Sequence, residues 1–481
     1  MTDKPDLSAR SKDSAAMLPF WKKVAAIIGG ENDVKEAGEE YLPKLPHEPK
    51  KQYDFRLSVA KFTNLYRDTV ESLVAKPFEE EISLVAGENE TVPEQIASFA
   101  ENVDGDGNNL TVFSSVLFFN AINDAITWIF IDYPNVAVRT MAEAKKAGVR
   151  PYWTNVLAIN VLEARQTRIG GESVLSYIRI LEPGESMADD KVRIFERNEN
   201  IVTWSLNARG EKSGEWIEED SGTLSLSEIP LIPIMTGRRD GRRFFFRAAL
   251  QDAVDLQMTL YRQESALEYT KVMTAFPMLS ASGVKPRTDS AGNPEPITVG
   301  PQTTLYAPMS GDGKVGSWSY VEPSGESLKF LQDDVKETKQ DLRELGKRPL
   351  SGQAGLTVIT AAYAANKAKS AVAAWGLALK DSLENALVIT CTLYGIKPET
   401  YSPEVSVYDD YDNFTNDDFT SVMELRKNKD ISRETAWTEA KRRGILSPEF
   451  TEEKEAGLLL AEMPGDGETE FKTPESKEPK T

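Results

Sequence analysis

The chain has 481 residues, is 40% hydrophobic and 27% charged, and carries a formal net charge of −20, which leaves room for about three domains and a sizeable core. So acidic a surface repels nucleic acid and anionic membrane at long range, which excludes a tight, sequence-reading DNA binder with a basic footprint but not DNA that passes without being held. The single cysteine, Cys391 in the apolar run "LVITCTLYG", excludes an intrachain disulfide and reads as a small buried thiol in a reducing cytoplasm. The first residues, "MTDKPDLSARSKDSAAMLPFWKK", lack an apolar core of signal-peptide length, and no apolar run reaches the ~18 residues of a membrane span.

Residues 14–29 read as a short helix, followed by a Pro/Gly-rich connection, "GGENDVKEAGEEYLPKLPHEP". In "KKQYDFRLSVAKFTNLYRDTVESLVAKPF", Phe55, Val59, Phe62, Tyr66, Val70 and Leu73 recur at spacings of three and four, which predicts one amphipathic helix ending before Pro77. "LTVFSSVLFFNAINDAITWIFIDYP" reads as a buried helix running into a strand. From Pro151 to Ile234 short alternating runs separated by Gly, Asn and Asp turns predict a mostly antiparallel sheet. Together these make an α+β body.

Residues 247–275 contain neither Gly nor Pro and predict a helix of about 42 Å. The Pro- and Gly-rich stretch after it reads as a small projecting β/loop module. A second long helix carries Leu328, Leu331, Val335, Leu342 and Leu345 on a near-heptad stripe, with Gly346 and Pro349 ending it. The two helices are expected to pack, so that the chain goes out, turns and returns. The uncharged stretch "SGQAGL" follows, and then a third helix over residues 357–394, about 55 Å long with Gly376 as its expected bend. "EVSVYDDY" returns a strand, residues 415–462 read as a helical domain, and the Glu/Lys/Pro/Gly tail after it reads as disordered.

Catalytic chemistry finds little to use. His47 is the only histidine, so a metal cluster built on several histidines is excluded, and any Ser-His-Asp triad or Cys-His dyad would have to rest on this one loop residue. "GDGKVG" at residues 311–316 is followed by "SWSYVEP" and not by a helix, so no helix N-terminus waits for a phosphate. "DGDGNN" begins like a calcium loop at Asp104, Asp106 and Asn108, but Asn109 and Ser115 occupy the positions of its Gly and Glu, and it reads as a turn. Asp409, Asp410 and Asp412 read as a solvated strand end that could meet a divalent cation at an assembled interface. Basic clusters are few: "GRRDGRRFFFR", Lys285 with Arg287, Lys347 with Arg348, and "AKRRG". The expected state is a non-enzyme with no cofactor and no metal.

The order of parts over some 400 residues, from "FTNLYRDTVESLVAKPF" through "NNLTVFSSVLFFNAINDAITWIFIDYP", "IPLIPI", "ALQDAVDLQMTLYRQESALEYTKVMTAFPML" and "YVEPSGESLKFLQDDVKETKQDLRELGKRPL" to "ISRETAWTEAKRRGILSPEF", resembles the portal proteins of tailed bacteriophages. The resemblance implies an α+β portal-type fold: an N-terminal arm (1–29), an α/β wing (30–246 with 395–414) and two stem helices (247–275 and 323–346). It further implies a small β/loop clip (276–322), a tunnel loop (347–357), a long kinked spine helix (358–394), a helical crown (415–463) and a disordered tail (464–481). Members form a ring, usually of twelve copies, at one capsid vertex. Double-stranded DNA passes through its channel during packaging and ejection without tight or sequence-specific binding.

The implied partners are further copies of the chain, the terminase large subunit, a head-completion or adaptor protein, and the major capsid and scaffold proteins, with no membrane. The implied location is the virion, with assembly in the host cytoplasm. Carried onto this sequence, the tunnel loop comprises Lys347, Arg348, Ser351, Gly352, Gln353, Ala354, Gly355 and Leu356, and Lys285 and Arg287 fall in the clip, where a motor or adaptor docks. Small residues let a dense polyanion slide, and brief contacts from Lys347 and Arg348 inside an otherwise negative tunnel avoid a stall. The family's spine helix often opens with Glu-Thr-Ala, whereas this chain has Val358, Ile359, Thr360 and Ala361, which blurs where that helix starts. The competing expectation is a non-catalytic helical scaffold or adaptor without a DNA channel.

Overall fold

Side-chain caps and glycines set the first helix boundaries. Ser11 accepts a hydrogen bond from the Ser14 amide ahead of α1 (Lys12–Gly29), and Gly30, at φ 99°, turns the chain into α2 (Glu31–Glu36). The connection expected here therefore holds a short helix. These statements refer to a computed structural model that describes residues 6–85, 91–134, 149–186, 189–210, 215–241, 243–275, 278–282, 316–321, 326–347, 371–408, 423, 426–427 and 431–442.

The apolar spacing from Phe55 to Leu73 does not make one helix. It is split into α3 (Lys50–Val59) and α4 (Leu65–Val74), with residues 60–64 between them in neither. Tyr66, Val70 and Leu73 are buried as expected, but Phe55 is 44% exposed, and α3 instead turns Tyr53 and Arg56 inward. The Arg56 guanidinium is neutralised by a 2.8 Å contact to Glu48, both side chains being almost fully covered.

After β1 (Ser83–Val85) and α5 (Glu94–Ala100) comes α6 (Leu110–Asp124), capped by Asn109 Oδ1 accepting from the Val112 amide. Ala125, in the left-handed region at φ 69°, swings the chain from α6 into β2 (Ile126–Asp132). The helix-then-strand reading of this stretch holds. β3 (Tyr152–Leu157), β4 (Val161–Ile169), β5 (Glu172–Glu182), β6 (Lys191–Asn198), β7 (Ile201–Arg209), β8 (Trp216–Thr223) and β9 (Leu231–Met235) complete two antiparallel sheets, ordered β3-β2-β9 and β4-β5-β6-β7-β8. A hairpin of β10 (Arg238–Arg239) and β11 (Phe246–Arg247) follows.

β2 is buried from Ile126 to Ile131 because both of its faces are covered. Ile126, Trp128 and Phe130 join a core with Met17 and Trp21 of α1 and with Ile178, Phe195 and Val202 of the larger sheet. Its partner β3 sends Trp153 the other way, edge-on to Phe99 and beside Phe113. Each such burial contributes about 1.5–3 kcal/mol. The fold is thus α+β.

The long helices are α7 (Gln251–Ala275), α8 (Glu326–Lys347) and α9 (Ala371–Leu393), with the strand pair β12 (Met278–Ser282) and β13 (Ser317–Val321) between the first two. α7 starts four residues later than its composition predicts, because Arg247 is held in β11. β14 (Glu404–Ser406) pairs antiparallel with β1. Internal contacts divide the chain into two units, residues 1–410 and 411–481. In the second, α10 (Arg433–Arg442) is capped by Ser432 Oγ, which accepts from the Thr435 amide at 3.0 Å, and Arg433 lies 4.4 Å from the Trp437 ring centroid. Among the described residues no helix is long and apolar enough to cross a membrane.

Candidate functional site

The feature the sequence singles out is the out-and-back helical pair. Helices α7 and α8 meet along Leu260, Leu267 and Val335, with Leu65, Leu328 and Leu331 packed beside them. Leu328, Leu331 and Val335 of the near-heptad stripe on α8 therefore lie in its seam with α7. Gln263 Nε2 donates to Asp334 Oδ2 at 2.7 Å across the pair. At the far end β12 and β13 run antiparallel, from Met278 opposite Val321 to Ser282 opposite Ser317.

The base of the pair is keyed into the body by buried polar groups. Gln257, fully buried on α7, accepts through Oε1 from the amides of Leu65 and Tyr66 and donates through Nε2 to the Thr63 carbonyl. One side chain thereby satisfies two of the amides that the first turn of α4 leaves without helical partners. One turn-pair further along α7, Glu264 accepts from the Thr63 amide at 3.0 Å and the Thr63 hydroxyl at 2.7 Å, and also meets Lys339 of α8 at 2.7 Å. Its carboxylate is 3% exposed, a burial tolerated only because one cation and two donors surround it. Arg262 Nε donates to the Tyr41 carbonyl, and Lys23 of α1 pairs with Asp255. At the C-terminal end of α8, Gly346 lies so close to Thr69 of α4 that a Cβ there would sit 2.5 Å from Thr69 Cγ2.

Helix α9 docks on the three-stranded sheet. Trp153 Nε1 donates to Thr390 Oγ1 at 2.9 Å, and Ser382 Oγ donates to the Pro233 carbonyl at 3.1 Å. Gly376 is buried in this helix. Cys391 is buried as expected, and burial pushes its thiol up to about 11, so it is an unreactive packing residue.

Of the residues expected in the tunnel loop, Lys347 is the last residue of α8 and is exposed, so the helix runs through Gly346 instead of stopping there. Arg348, Ser351, Gly352, Gln353, Ala354, Gly355 and Leu356 lie outside the described residues, as do Lys285 and Arg287 of the clip and Asp409, Asp410 and Asp412. His47 is an exposed loop residue at φ 63°. "DGDGNN" is a self-satisfied turn, in which Asp104 accepts from the amides of Asp106 and Asn108 and from Asn108 Nδ2. Among the described residues no group of His, Cys, Asp or Glu is arranged to hold a metal ion.

Sequence reasoning missed the polar lock at Gln257, Glu264 and Lys339. A signal was present: Val254, Gln257, Tyr261, Glu264 and Leu267 recur at spacings of three and four on α7, so two polar residues stand on a buried stripe, where each requires a partner.

A family profile described as "Domain of unknown function (DUF4055)" matches residues 249–392, from the start of α7 to near the end of α9. A search of the curated proteins finds no match. Among solved structures, the chain is similar to one described as the neck of an empty gene transfer agent (GTA) particle computed with C6 symmetry, at 10% identity and a TM-score of 0.38, covering 82% of this chain and 89% of that one. A chain from the virion of the native GTA particle gives 9% identity and a TM-score of 0.38 over 89% and 98% of the two chains. The neck of the native particle computed with C12 symmetry gives 10% and 0.36 over 82% and 88%. Likenesses this distant leave function to be argued from the chain itself.

Proposed function

We propose that the chain is the subunit of a portal ring at one vertex of a phage-type capsid: a non-catalytic conduit through which a separate terminase motor drives DNA and to which head-completion proteins attach. The observation that carries this reading is the pair α7 and α8, tipped by β12 and β13 and keyed into the α+β body at Gln257 and Glu264. A stem that transmits or withstands load along a channel needs a dry apolar seam and a base that does not swivel, and buried, fully satisfied polar contacts supply that geometric specificity. The order of parts, body then stem, tip, stem and a helix returning across the sheet, is that of the family the sequence resembles.

In this reading the net charge of −20 gives the channel the sign of its cargo and keeps phosphates off the wall. The twelve-copy ring, the tunnel-loop roles of residues 347–356, the docking role of Lys285 and Arg287, and assembly in the host cytoplasm before residence in the virion all belong to the proposal.

The deciding experiment is negative-stain microscopy of the purified full chain with native mass spectrometry of the same sample. Closed rings with a central hole and a mass near twelve subunits are expected. Globular dimers or open filaments would overturn the ring and favour a helical adaptor without a channel.

A further inference from the structure

The two edges of the five-stranded sheet carry opposite charge. β4 forms one edge and β8 the other, four strand spacings or about 19 Å apart. Beside β4 sits the hairpin of β10 and β11, tied to it by Arg239 Nη2 donating to Gln166 Oε1 at 2.9 Å. This hairpin exposes Arg238, Arg243 and Arg247, and β4 adds the exposed Arg168. Several of these cations are stiffened by rings: Arg239 lies 4.7 Å from the Phe244 centroid, Arg243 5.6 Å and Arg247 6.0 Å from that of Phe245. Arg243 is already paired with Asp13. At the opposite edge, Glu218, Glu219 and Asp220 of β8 are all exposed, and Glu219 pairs with Lys191.

The hairpin holds a feature that its own fold does not explain. Arg238 and Arg247 are direct cross-strand partners, and like charges placed opposite each other destabilise a strand pair. An external anion would offset that repulsion, and the Arg247 guanidinium, held beside the Phe245 ring, loses less freedom on docking than an unrestrained side chain. Charge on an edge strand commonly serves to block edge-to-edge pairing. That purpose is met by charges of one sign on both edges, whereas opposite signs on opposite edges attract.

We propose that the basic edge formed by Arg168, Arg238 and Arg247 docks on the acidic β8 edge, Glu218 and Asp220, of a second copy of this chain. The contact is head to tail, so each copy uses one edge to bind and offers the other, and repetition generates a ring if the rotation closes. The inference rests on the ring reading only for closure, since the docking itself needs two copies.

The test uses the full chain, with native mass spectrometry and sedimentation at about 50 mM and about 500 mM salt. R238E/R247E and E218K/D220K should each weaken association at least about tenfold, and the chain carrying all four changes should recover to within about threefold of wild type. Matching thermal unfolding curves establish that the variants are folded. Association untouched by either reversal, no recovery in the fourfold variant, or a wild type that stays monomeric at low salt would each overturn the contact. Closed rings indifferent to the reversals would retain the ring and remove this interface; dimers or open chains that respond to them would retain the interface and remove the ring.

Discussion

Lys339 Nζ lies 2.7 Å from Glu264 Oε1, and the carboxylate it neutralises is 3% exposed between α7 and α8. Glu264 also accepts both donors of Thr63, so the two partners are not equivalent. Lys339→Met strands a buried negative charge and is expected to cost about 3 kcal/mol. Glu264→Gln should cost less, because a neutral amide needs no counter-ion and the partly exposed Lys339 can reach water. Urea unfolding of both variants checks the ranking, and the reverse order would show that the pair does not neutralise the carboxylate as described.

Gln257 makes its three hydrogen bonds to backbone groups of Thr63, Leu65 and Tyr66. Gln257→Leu keeps the volume and removes all three, leaving the buried Tyr66 amide without an acceptor while the Leu65 amide keeps the Thr63 carbonyl, so a loss of about 2–3 kcal/mol is expected. Hydrogen exchange should rise first at residues 63–66 and along the base of the helical pair. Uniform acceleration over the whole protein would instead point to a general loss of packing.

This lock also shows where the sequence was legible. The presence of α7 and α8, the apolar stripe on α8, the turn at Asp104 and the antiparallel strands follow from local composition and periodicity, because each is decided by neighbours within a few residues. The break between α3 and α4 does not. Phe55 to Leu73 keep helical spacing throughout, yet Thr63 lies outside both helices and gives its amide, hydroxyl and carbonyl to Glu264 and Gln257, partners some two hundred residues away that no local window sees. Gly346 misleads in the opposite direction: it reads as a helix end, but its missing side chain is required by Thr69 of another helix. Of the tunnel loop and clip residues legible through the resemblance, only Lys347 falls among the described positions.

Asp124 closes α6 in a partly buried position, and burial pushes its carboxyl from the ordinary 3.8 up to about 7. Because the folded state holds this proton more tightly than the unfolded chain, the group's favourable contribution is complete below about pH 4 and is lost as the pH rises through about 7. Asp124→Asn removes the ionisation, so it should be more stable than wild type at pH 8 by on the order of 2–4 kcal/mol, with the difference vanishing near pH 4. Unfolding free energies measured across that interval check the sign, and a pH-independent difference would refute it.

The proposed sliding role of the uncharged stretch rests on residue size. Gly352→Val with Gly355→Val replaces hydrogen by branched side chains where the proposal requires a small, pliant backbone. Rings are expected to assemble normally while DNA packaging in a reconstituted motor assay slows by at least about tenfold. Packaging at the wild-type rate would refute the sliding role.

Gly346 sets two effects of opposite sign against each other. Alanine in a helix is favoured over glycine by about 1 kcal/mol, but a Cβ here would stand 2.5 Å from Thr69 Cγ2 and 3.0 Å from its Oγ1, contacts that force α8 and α4 apart. Overpacking of this kind typically costs 1–3 kcal/mol, so Gly346→Ala alone should destabilise by about 1 kcal/mol net. Thr69→Ala removes both offending atoms and leaves only the Thr69 Cβ, at 3.4 Å. In that background the same glycine substitution should turn neutral or stabilising, because the helix-propensity gain is no longer opposed. A double-mutant cycle measures the coupling directly, and additive effects would show that α8 and α4 do not meet at this position as tightly as the geometry requires.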